Sequence, residues 1–404
     1  MGERAIVHLN IIGFRAAVAA AKDRSLSDRP FVIAGTSGGR SLALDCSPRA
    51  IKEGISPGMS LALAWRRVKD IAILSPDPTA YETMNSELEK VASYYAPVWE
   101  NDRSGNLYLD ITGTSGLFGP PADCGSRILR DIHGQADIYP AAAVACNKLV
   151  SKVATRAIRP SGLIQIQSGT ETEFLAHQDI RILPGMGPGL LRTATVTGMR
   201  EIGEIAALSV SQALALFGKQ GPLLRNMAQG IDGSRVEERK EERSITRQAD
   251  FNEDIIDETL IRGAIEVLSE HSGLEMRRDK LETSCISLTV VYADGVRIQS
   301  REKLKRPHVL DRDIAATAER IFRKTATRRL RLRSLSLSLE ALSPLGYEVD
   351  LFEAPPETKN RKLQEAVDKI QNRYGVEAVT RGVVLVASCL NGGQRLIPGP
   401  AAYS

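Results

Sequence analysis

Hydrophobic and polar positions alternate with different periods along the chain, and these periods divide it into segments. Residues 166–240 carry short helical patterns separated by glycine. The segments on either side, 1–165 and 243–345, mix helical periods with strand-like apolar runs. In the first of them the strand-like runs are 6–12, 30–34, 106–111 and 141–145, and the helical runs are 14–22, 60–68, 80–95 and 147–157. The pattern predicts a multidomain α/β protein with an all-helical domain in its middle.

One amide interrupts the apolar pattern of the first predicted strand, IVHLNIIGF, at residues 6–14. A buried polar side chain is unfavourable unless it is hydrogen-bonded or has a chemical task. Asn10 is therefore expected to have a specific purpose in this strand. A second strand pattern, ENDRSGNLYLDITG at residues 100–113, is typical of a β-hairpin, because turn residues precede alternating apolar positions.

The all-helical segment contains two glycine-rich turns of the kind that join helix-hairpin-helix motifs. The first is Gly185-Met186-Gly187, directly before a helix opened by Pro188, and the second lies between Gly218 and Gly221. Glycines let a backbone approach closely, and N–H groups at a helix start can bind a phosphate. The alternative is that these glycines only end helices. The repeated turn favours DNA-phosphate contacts, and the residues predicted to make them are Gly185, Gly187, Gly189 and Lys219.

Basic residues are concentrated in one part of the chain. Residues 297–333 hold thirteen Lys or Arg and four Asp or Glu, a local charge of +9, whereas the rest of the chain carries −5. Two predicted strands there carry basic residues on one face; the ordinary alternative is a solvated face. Such an asymmetry favours contact with a nucleic-acid backbone. The predicted contacts are Arg297, Arg301, Lys303, Arg329, Arg331 and Arg333.

Composition excludes several other classes of protein. The chain is 43% hydrophobic and 25% charged, as expected of a globular protein, and its net charge is +4. No apolar run approaches the roughly 20 residues of a membrane span, and no signal-peptide pattern is present. The five cysteines form no CxxC pair, so neither a zinc site nor a disulfide framework is indicated. These features predict a reduced cytoplasmic protein without membrane partners, and its DNA contacts predict association with the nucleoid.

Six segments, in order and at fitting spacing, resemble the Y-family, lesion-bypass DNA polymerases of the DinB/UmuC group. They are IVHLNIIGFRAAV, SPRAIKEGISPGMSLALAWRRVKD, YLDITGTSGLFG, NKLVSKVATRAIRPSG, ILPGMGPGLLRTATVTGMREIGEIA and FGKQGPLLRNMAQGIDG. The resemblance implies a right-hand polymerase fold with an α+β little finger that grips DNA. The implied domains are a palm (1–16 and 76–165), fingers (17–75), a helix-hairpin-helix thumb (166–240), a little finger (243–345) and a clamp-docking peptide with a C-terminal tail (346–404).

The peptide EVDLF, residues 348–352, resembles the pentapeptide with which such proteins dock into the bacterial sliding clamp. By that resemblance Asp350, Leu351 and Phe352 are the clamp-binding residues, with Leu351 and Phe352 as anchors. Glu348 replaces the usual glutamine, which is expected to weaken the contact. Without the resemblance, a stray strand of the preceding domain is the favoured interpretation of the same peptide.

The departures from the family concern catalysis. Family polymerases hold two metal ions with carboxylates, and in this chain the corresponding positions are Asn10, Ile12, Gly105 and Asn106. The family residues that hold the nucleotide triphosphate align with Pro48 and Ile51. The palm-helix lysines Lys148 and Lys152 are retained and are predicted to contact DNA. These departures from the family predict no catalytic residue, no bound metal and no cofactor.

Two acidic residues near the hairpin turn are the best candidates for replacement metal ligands. Asp102 and Glu100 approach the turn from one side, whereas Asp110 lies about 13 Å along the strand from Asn106, too far to share a metal pair. Mg²⁺ is expected only if these residues take over the task. Asn10 is otherwise best explained as a neutral replacement of a metal-binding aspartate, since an unneutralised buried carboxylate would be unfavourable.

The loss of nucleotide-handling residues and the retention of DNA-handling ones resemble the ImuB-type accessory proteins, although the tail is more UmuC-like. The expected function is non-catalytic: binding of primer-template or damaged DNA and of the sliding clamp. The expected partners include a catalytic polymerase and other bypass proteins, in translesion synthesis, DNA repair and the SOS response. The alternative is an active template-directed DNA polymerase with atypical metal ligands.

Overall fold

The structure is a computed structural model and describes residues 4–35, 42–238, 244–346, 357–385 and 399–400. The chain forms two compact units, Met1–Lys240 and Glu241–Ser404. The segments predicted as palm, fingers and thumb lie in the first unit, and those predicted as little finger and tail lie in the second. Among the described residues, no helix has the length and apolarity needed to cross a membrane.

The first unit is built on a five-stranded sheet in the order β5-β6-β1-β7-β8. Its strands are β1 (Ile6–Asn10), β5 (Val98–Arg103), β6 (Asn106–Asp110), β7 (Ala141–Ala145) and β8 (Gly162–Gln165). Strand β1 is antiparallel to both β6 and β7, whereas β7 and β8 are parallel. The hairpin predicted from residues 100–113 is present, with β5 and β6 joined by the two residues Ser104 and Gly105.

The two faces of this sheet have different environments because side chains alternate along each strand. On one face, Leu9, Leu107 and Leu109 form a core with helices α4 (Pro78–Tyr95) and α6 (Pro121–Ala136). The other face carries the polar side chains of His8, Asn10, Asn106 and Tyr108, and α7 (Lys148–Ala157) packs across it. The polar face holds the candidate site.

A three-stranded sheet in the order β3-β2-β4 follows β1 in the chain. Its strands are β2 (Phe31–Ala34), β3 (Ala43–Cys46) and β4 (Ala72–Leu74), and the nearby helices are α1 (Phe14–Lys22), α2 (Pro48–Lys52) and α3 (Leu61–Arg67). The short α5 (Ser115–Phe118) belongs instead to the five-stranded sheet, because Phe118 packs against the core of that sheet. Val32, Ile55 and Leu61 are part of the separate core of the three-stranded sheet. This small sheet lies in the segment predicted as fingers.

The segment 166–238 contains helices and no strand, as its glycine-interrupted pattern predicted. The α-helices are α8 (Glu171–Ala176), α9 (Pro188–Val196), α10 (Ile202–Ala206), α11 (Val210–Phe217) and α12 (Gly221–Ala228). Short 3-10 turns in the first unit cover Arg24–Leu26, Ile180–Ile182 and Gly218–Gln220. Helices α11 and α12 approach so closely that a Cβ built on Gly221 would lie 2.0 Å from the Ala213 carbonyl oxygen. Gly221 of the second glycine-rich turn is therefore required by helix packing.

The second unit is a sheet in the order β11-β10-β12-β9-β13 with helices on one face. The strands are β9 (Ile245–Ile255), β10 (Leu281–Tyr292), β11 (Arg297–His308), β12 (Leu332–Pro344) and β13 (Gly399–Pro400), and the helices are α13 (Glu258–Arg278), α14 (Asp311–Thr325) and α15 (Glu357–Tyr374), followed by a 3-10 turn at Val376–Ala378. Leu288, Leu335 and Leu337 are buried against α13 and α14. Helix α15 lies in the segment predicted as the C-terminal tail.

The predicted basic strand that carries Arg329, Arg331 and Arg333 is present, but it begins later than the sequence pattern predicts. Strand β12 begins at Leu332, and its pairing is irregular between Leu332 and Ser334. Arg329 and Arg331 therefore lie in the connection after α14, and only Arg333 belongs to the strand. The alternation of apolar and polar residues breaks at Arg333-Ser334, which marks this irregularity. The leucines before that break nevertheless continue a strand-like pattern.

Candidate functional site

The positions that correspond to the family's metal ligands meet on the polar face of the first sheet. Asn10 is directly opposite Asn106 in the β1–β6 pair, and the Ile11 N–H donates to the Gly105 carbonyl at 2.8 Å. The Asn10 Nδ2 donates to Asn106 Oδ1. Ile12 follows β1 and is half-buried. The structure thus brings Asn10, Gly105 and Asn106 together, with a pair of neutral amides between the strands.

Gly105 has no room for a side chain. Its φ is +76°, and a Cβ built on it would lie 2.6 Å from Cδ2 of Phe14. The Phe14 ring is buried. It is held in place because it starts α1, where Asp45 accepts hydrogen bonds from the Arg15 and Ala16 N–H groups. Phe14 therefore occupies the space beside the hairpin turn.

The two candidate replacement ligands are engaged in ion pairs. Glu100 Oε2 lies 2.6 Å from Lys148 Nζ, and Asp102 Oδ2 lies 2.7 Å from Lys152 Nζ. Both ammonium groups also lie near the ring of Tyr108, at 4.8 and 5.6 Å from its centroid. Burial tends to raise the pKa of Asp102, but the hydrogen bond and charge of Lys152 outweigh it and hold that pKa below its usual value. Each carboxylate is therefore already neutralised by a lysine.

The residues of this site do not fit the Mg²⁺ pair that the family implies. Mg²⁺ prefers carboxylate oxygens in octahedral geometry. The positions offer two amides, an isoleucine and a glycine, and one amide oxygen, Asn10 Oδ1, is buried without a hydrogen-bond partner in the described part of the chain. Across the same described residues, no three His, Cys, Asp or Glu side chains are grouped so as to hold a metal ion.

His8 is a member of this face that the sequence pattern did not single out. Its Nδ1 lies 2.7 Å from Thr155 Oγ1, whose hydroxyl donates to the Lys152 carbonyl. The threonine oxygen therefore accepts from His8, which fixes the neutral tautomer. Burial, reinforced by the charge of Lys152, lowers the pKa of His8 well below its usual value. A polar residue two positions before Asn10 on the same strand face was the available signal.

The first glycine-rich turn, Gly185-Met186-Gly187, lies directly before α9, as predicted. Gly187 precedes Pro188, but its N–H donates to the Gly185 carbonyl at 2.9 Å. That donor is therefore engaged within the turn. Gly189 lies in the first turn of α9, and Lys219 is exposed in the 3-10 turn between α11 and α12. Their contact with DNA remains a prediction.

Strand β11 presents the clearest basic surface of the second unit. Arg297, Arg301 and Lys303 are exposed and alternate with half-buried residues. Arg301 is paired with Ser287, and Ser287 with Ser338, so short hydroxyl side chains lie beside the basic ones on the face away from the helices. Ser287 is itself fully buried, so the exposed cations of β11 form the surface that a phosphate backbone could contact.

The remaining predicted contacts are arranged differently. Arg333 donates to the Ala293 carbonyl and lies 3.7 Å from Asp254, so its charge is partly engaged. Arg329 and Arg331 are exposed before β12. The predicted clamp-binding residues Asp350, Leu351 and Phe352 lie outside the described residues.

Comparisons with known proteins agree with this arrangement. The profile of the impB/mucB/samB family matches residues 9–156, and that of its C-terminal domain matches residues 242–349. A protein named DNA polymerase IV from Dehalococcoides mccartyi is 27% identical over 383 residues, covering 95% of this chain and 98% of the relative. Another of that name, from Caulobacter vibrioides, is 24% identical over 387 residues, covering 95% of each.

Solved structures give the same fold. A Y-family DNA polymerase chimera of Dbh and Dpo4 matches with a TM-score of 0.74 at 20% identity, over 84% of this chain and 99% of the chimera. The insertion ternary complex of Dbh DNA polymerase matches with a TM-score of 0.59 at 19% identity, over 84% and 99%. These matches confirm the predicted fold class, an α/β multidomain, right-hand polymerase. The chain belongs to the impB/mucB/samB family, the Y-family DNA polymerases.

Proposed function

We propose that this chain is a non-catalytic member of its family that binds primer-template or damaged DNA as an accessory in translesion synthesis and DNA repair. The observation that carries the proposal is the Asn10–Asn106 amide pair at the metal positions, with Phe14 packed against Gly105. Phosphoryl transfer by two metals needs anionic ligands to gather the cations around the nucleotide. The site offers none there, and the nearby acids are paired with lysines.

The DNA-binding part of the proposal rests on the exposed basic residues of β11. The glycine-rich turn before α9 supports it less, because its Gly187 N–H is already engaged. DNA affinity comes largely from phosphate neutralisation by lysine and arginine, which requires cations that are free to approach the backbone. Arg297, Arg301 and Lys303 meet that condition better than Lys148 and Lys152, whose charges are already balanced within the first unit.

The second candidate function is an active DNA polymerase with atypical ligands. It is favoured by relatives named DNA polymerase IV that match nearly the whole chain. For this function Glu100 and Asp102 would have to leave Lys148 and Lys152 and turn toward Asn10. Both ion pairs are largely buried, with side chains 13–23% exposed, so breaking them would leave unpaired charges in a poorly solvated site.

Primer extension separates the two functions. The purified protein is expected to shift a labelled primer-template in a gel and to leave the primer unextended with either Mg²⁺ or Mn²⁺, because no carboxylate set can hold the cations. Asp102→Asn serves as the companion variant. Extension by the wild type that is lost in Asp102→Asn would establish the polymerase function and refute the non-catalytic one.

The basic residues of β11 are expected to set the salt dependence of DNA binding. Replacing Arg297, Arg301 and Lys303 together by glutamine should reduce the slope of log affinity against log salt by about one for each phosphate contact removed. Fluorescence anisotropy from low to moderate salt measures it. The matched control is Arg262→Gln, since Arg262 lies on the opposite helical layer and is paired with Glu319 at 2.6 Å. An equal loss of slope in both variants would contradict the assignment.

Clamp docking by residues 348–352 is part of the same proposal, together with recruitment of a catalytic polymerase and other bypass proteins in the manner of the ImuB-type subgroup. Replacing Leu351 and Phe352 by alanine is expected to abolish binding to the sliding clamp, because the two anchors supply the apolar contact. DNA binding in the same preparation should be unchanged. Clamp affinity equal to that of the wild type in a pull-down or titration would show that the peptide has another role.

A further inference from the structure

A cleft of about 530 Å³ in the first unit is lined by three arginines and no acidic side chain. It lies between the end of α7 and the glycine turn before α9. Arg156 comes from the last turn of α7, Arg159 follows that helix, and Arg181 comes from the 3-10 turn Ile180–Ile182. The segment Gly185–Gly187 also lines the cleft. Three arginines therefore line one open cleft.

Two of these guanidinium groups are oriented by neighbouring oxygen atoms. Arg156 Nη1 donates to the Ile182 carbonyl at 2.7 Å, which ties α7 to the segment before the hairpin. Arg181 is held by Asp179, with Nη2 2.6 Å from Oδ2 and Nε 2.9 Å from Oδ1. Arg159 makes no side-chain hydrogen bond or ion pair with any residue in the described ranges. One carboxylate therefore balances three positive charges.

Holding like charges together is unfavourable without an anion. Burial lowers the pKa of Arg156, and the charge of Arg159 lowers it further. A structural task explains Arg156, which links two segments, and Arg181 is an exposed side chain paired with Asp179. Neither contact explains why Arg159 lines the same cleft. Because the Gly187 N–H is engaged within its turn, an anion at this place would depend on the guanidinium groups rather than on that amide.

We propose that this cleft is a binding site for a phosphate group carrying two or more negative charges. Guanidinium groups present planar pairs of donors that match phosphate oxygens, and a net charge of about +2 is matched better by a terminal or condensed phosphate than by a single diester. The phosphate belongs either to the 5′ end of a DNA strand or to a free oligophosphate. The cleft shares the Gly185–Gly187 turn with the predicted DNA contacts. The strand-end alternative therefore rests on the proposed DNA-binding function, whereas the free-oligophosphate alternative does not.

Inorganic pyrophosphate is the first probe, titrated calorimetrically into the full-length protein without DNA. The Arg159→Gln/Arg181→Gln double variant keeps the link made by Arg156 and is expected to bind pyrophosphate at least tenfold more weakly than the wild type. Arg130→Gln, an exposed arginine on α6, is expected to bind like the wild type. Unchanged pyrophosphate affinity in the double variant, or an equal loss in Arg130→Gln, would overturn the proposal.

Matched oligonucleotides identify the source of the phosphate. If the site takes a strand end, a 5′-phosphorylated single strand will bind more tightly than the same strand with a 5′-hydroxyl, and the double variant will lose this preference. If it takes a free oligophosphate, the two strands will bind equally and pyrophosphate will still distinguish the variants. Failure of the pyrophosphate test with intact DNA binding would refute the cleft alone and leave the proposed function standing.

Discussion

Replacing Gly105 by aspartate is expected to destabilise the first unit rather than to rebuild a metal site. The change places a side chain at a φ of +76°, with a Cβ 2.6 Å from the buried Phe14 ring. A left-handed conformation costs an ordinary residue about 1–2 kcal/mol, and overpacking costs a further ~1–3 kcal/mol, so the free energy of unfolding should fall by about 2–5 kcal/mol. Urea denaturation followed by circular dichroism measures this loss.

Gly113 provides the matched control for the steric part of that effect. Its φ is +80°, and nothing lies within 4 Å of a Cβ built on it. Gly113→Ala should therefore show only the conformational penalty of about 1–2 kcal/mol, whereas Gly105→Ala adds the contact with Phe14. A cycle with Phe14→Leu tests the contact directly, because the smaller residue should recover part of the loss caused by Gly105→Ala. Equal losses at the two glycines would mean that Phe14 yields easily and that the site could accept a carboxylate.

The same contact shows why the site could be predicted only in part. The sequence identified Asn10, Ile12, Gly105 and Asn106 through the order of family segments, and local turn chemistry predicted the hairpin that carries two of them. The strand pairing then placed Asn10 opposite Asn106. The position of the Phe14 ring over Gly105 depends on how α1 leaves the sheet, a tertiary feature that no periodicity in residues 6–14 encodes.

Ion pairs between distant parts of the chain could not be predicted from the sequence, for a related reason. Lys148 and Lys152 are 48 and 50 residues away from Glu100 and Asp102, and each residue taken alone fits either a DNA contact or a metal ligand. The two acids have the two-residue spacing of one strand face, and the two lysines have the four-residue spacing of one helix face. These spacings were only a weak signal that the acids pair with the lysines. The predicted start of β12 was wrong for a local reason. Leu330 and Leu332 continue the alternating pattern of the strand, but the strand itself begins only at Leu332.

Replacing Arg277 by methionine is expected to lower the free energy of unfolding of the second unit by about 3–5 kcal/mol, since removing one partner of a buried ion pair leaves an uncompensated charge. Arg277 lies between Asp311 at 2.6 Å and Asp368 at 2.7 Å, and the three side chains are only 11%, 2% and 15% exposed. Methionine keeps much of the apolar volume of the arginine stem. The loss therefore reports charge and hydrogen bonding more than packing.

The consequence for the tail follows from where Asp368 lies. Asp368 is on α15, and Gln364 of the same helix donates to Asp311, so the network fastens α15 to α13 and α14. In Arg277→Met, amide hydrogen exchange is expected to accelerate throughout α15 as well as at the ends of α13 and α14. The control Arg262→Met removes a more exposed pair with Glu319, whose side chains are 50% and 27% exposed, and should cost less than about 1 kcal/mol.

The loss of unfolding free energy in Arg277→Met is expected to depend on pH, and the direction of that dependence can be derived. Burial already raises the pKa of Asp311 against the opposing charge of Arg277, and removing that charge raises it further. A carboxyl whose pKa is higher in the folded state than in the unfolded state stabilises the fold in its protonated form, and this contribution disappears as the pH rises through the folded pKa. Arg277→Met should therefore be less destabilising at pH 5 than at pH 8. A loss that is independent of pH, or no larger than that of Arg262→Met, would show that the carboxylates are solvated in the folded protein and that α15 is held by other contacts.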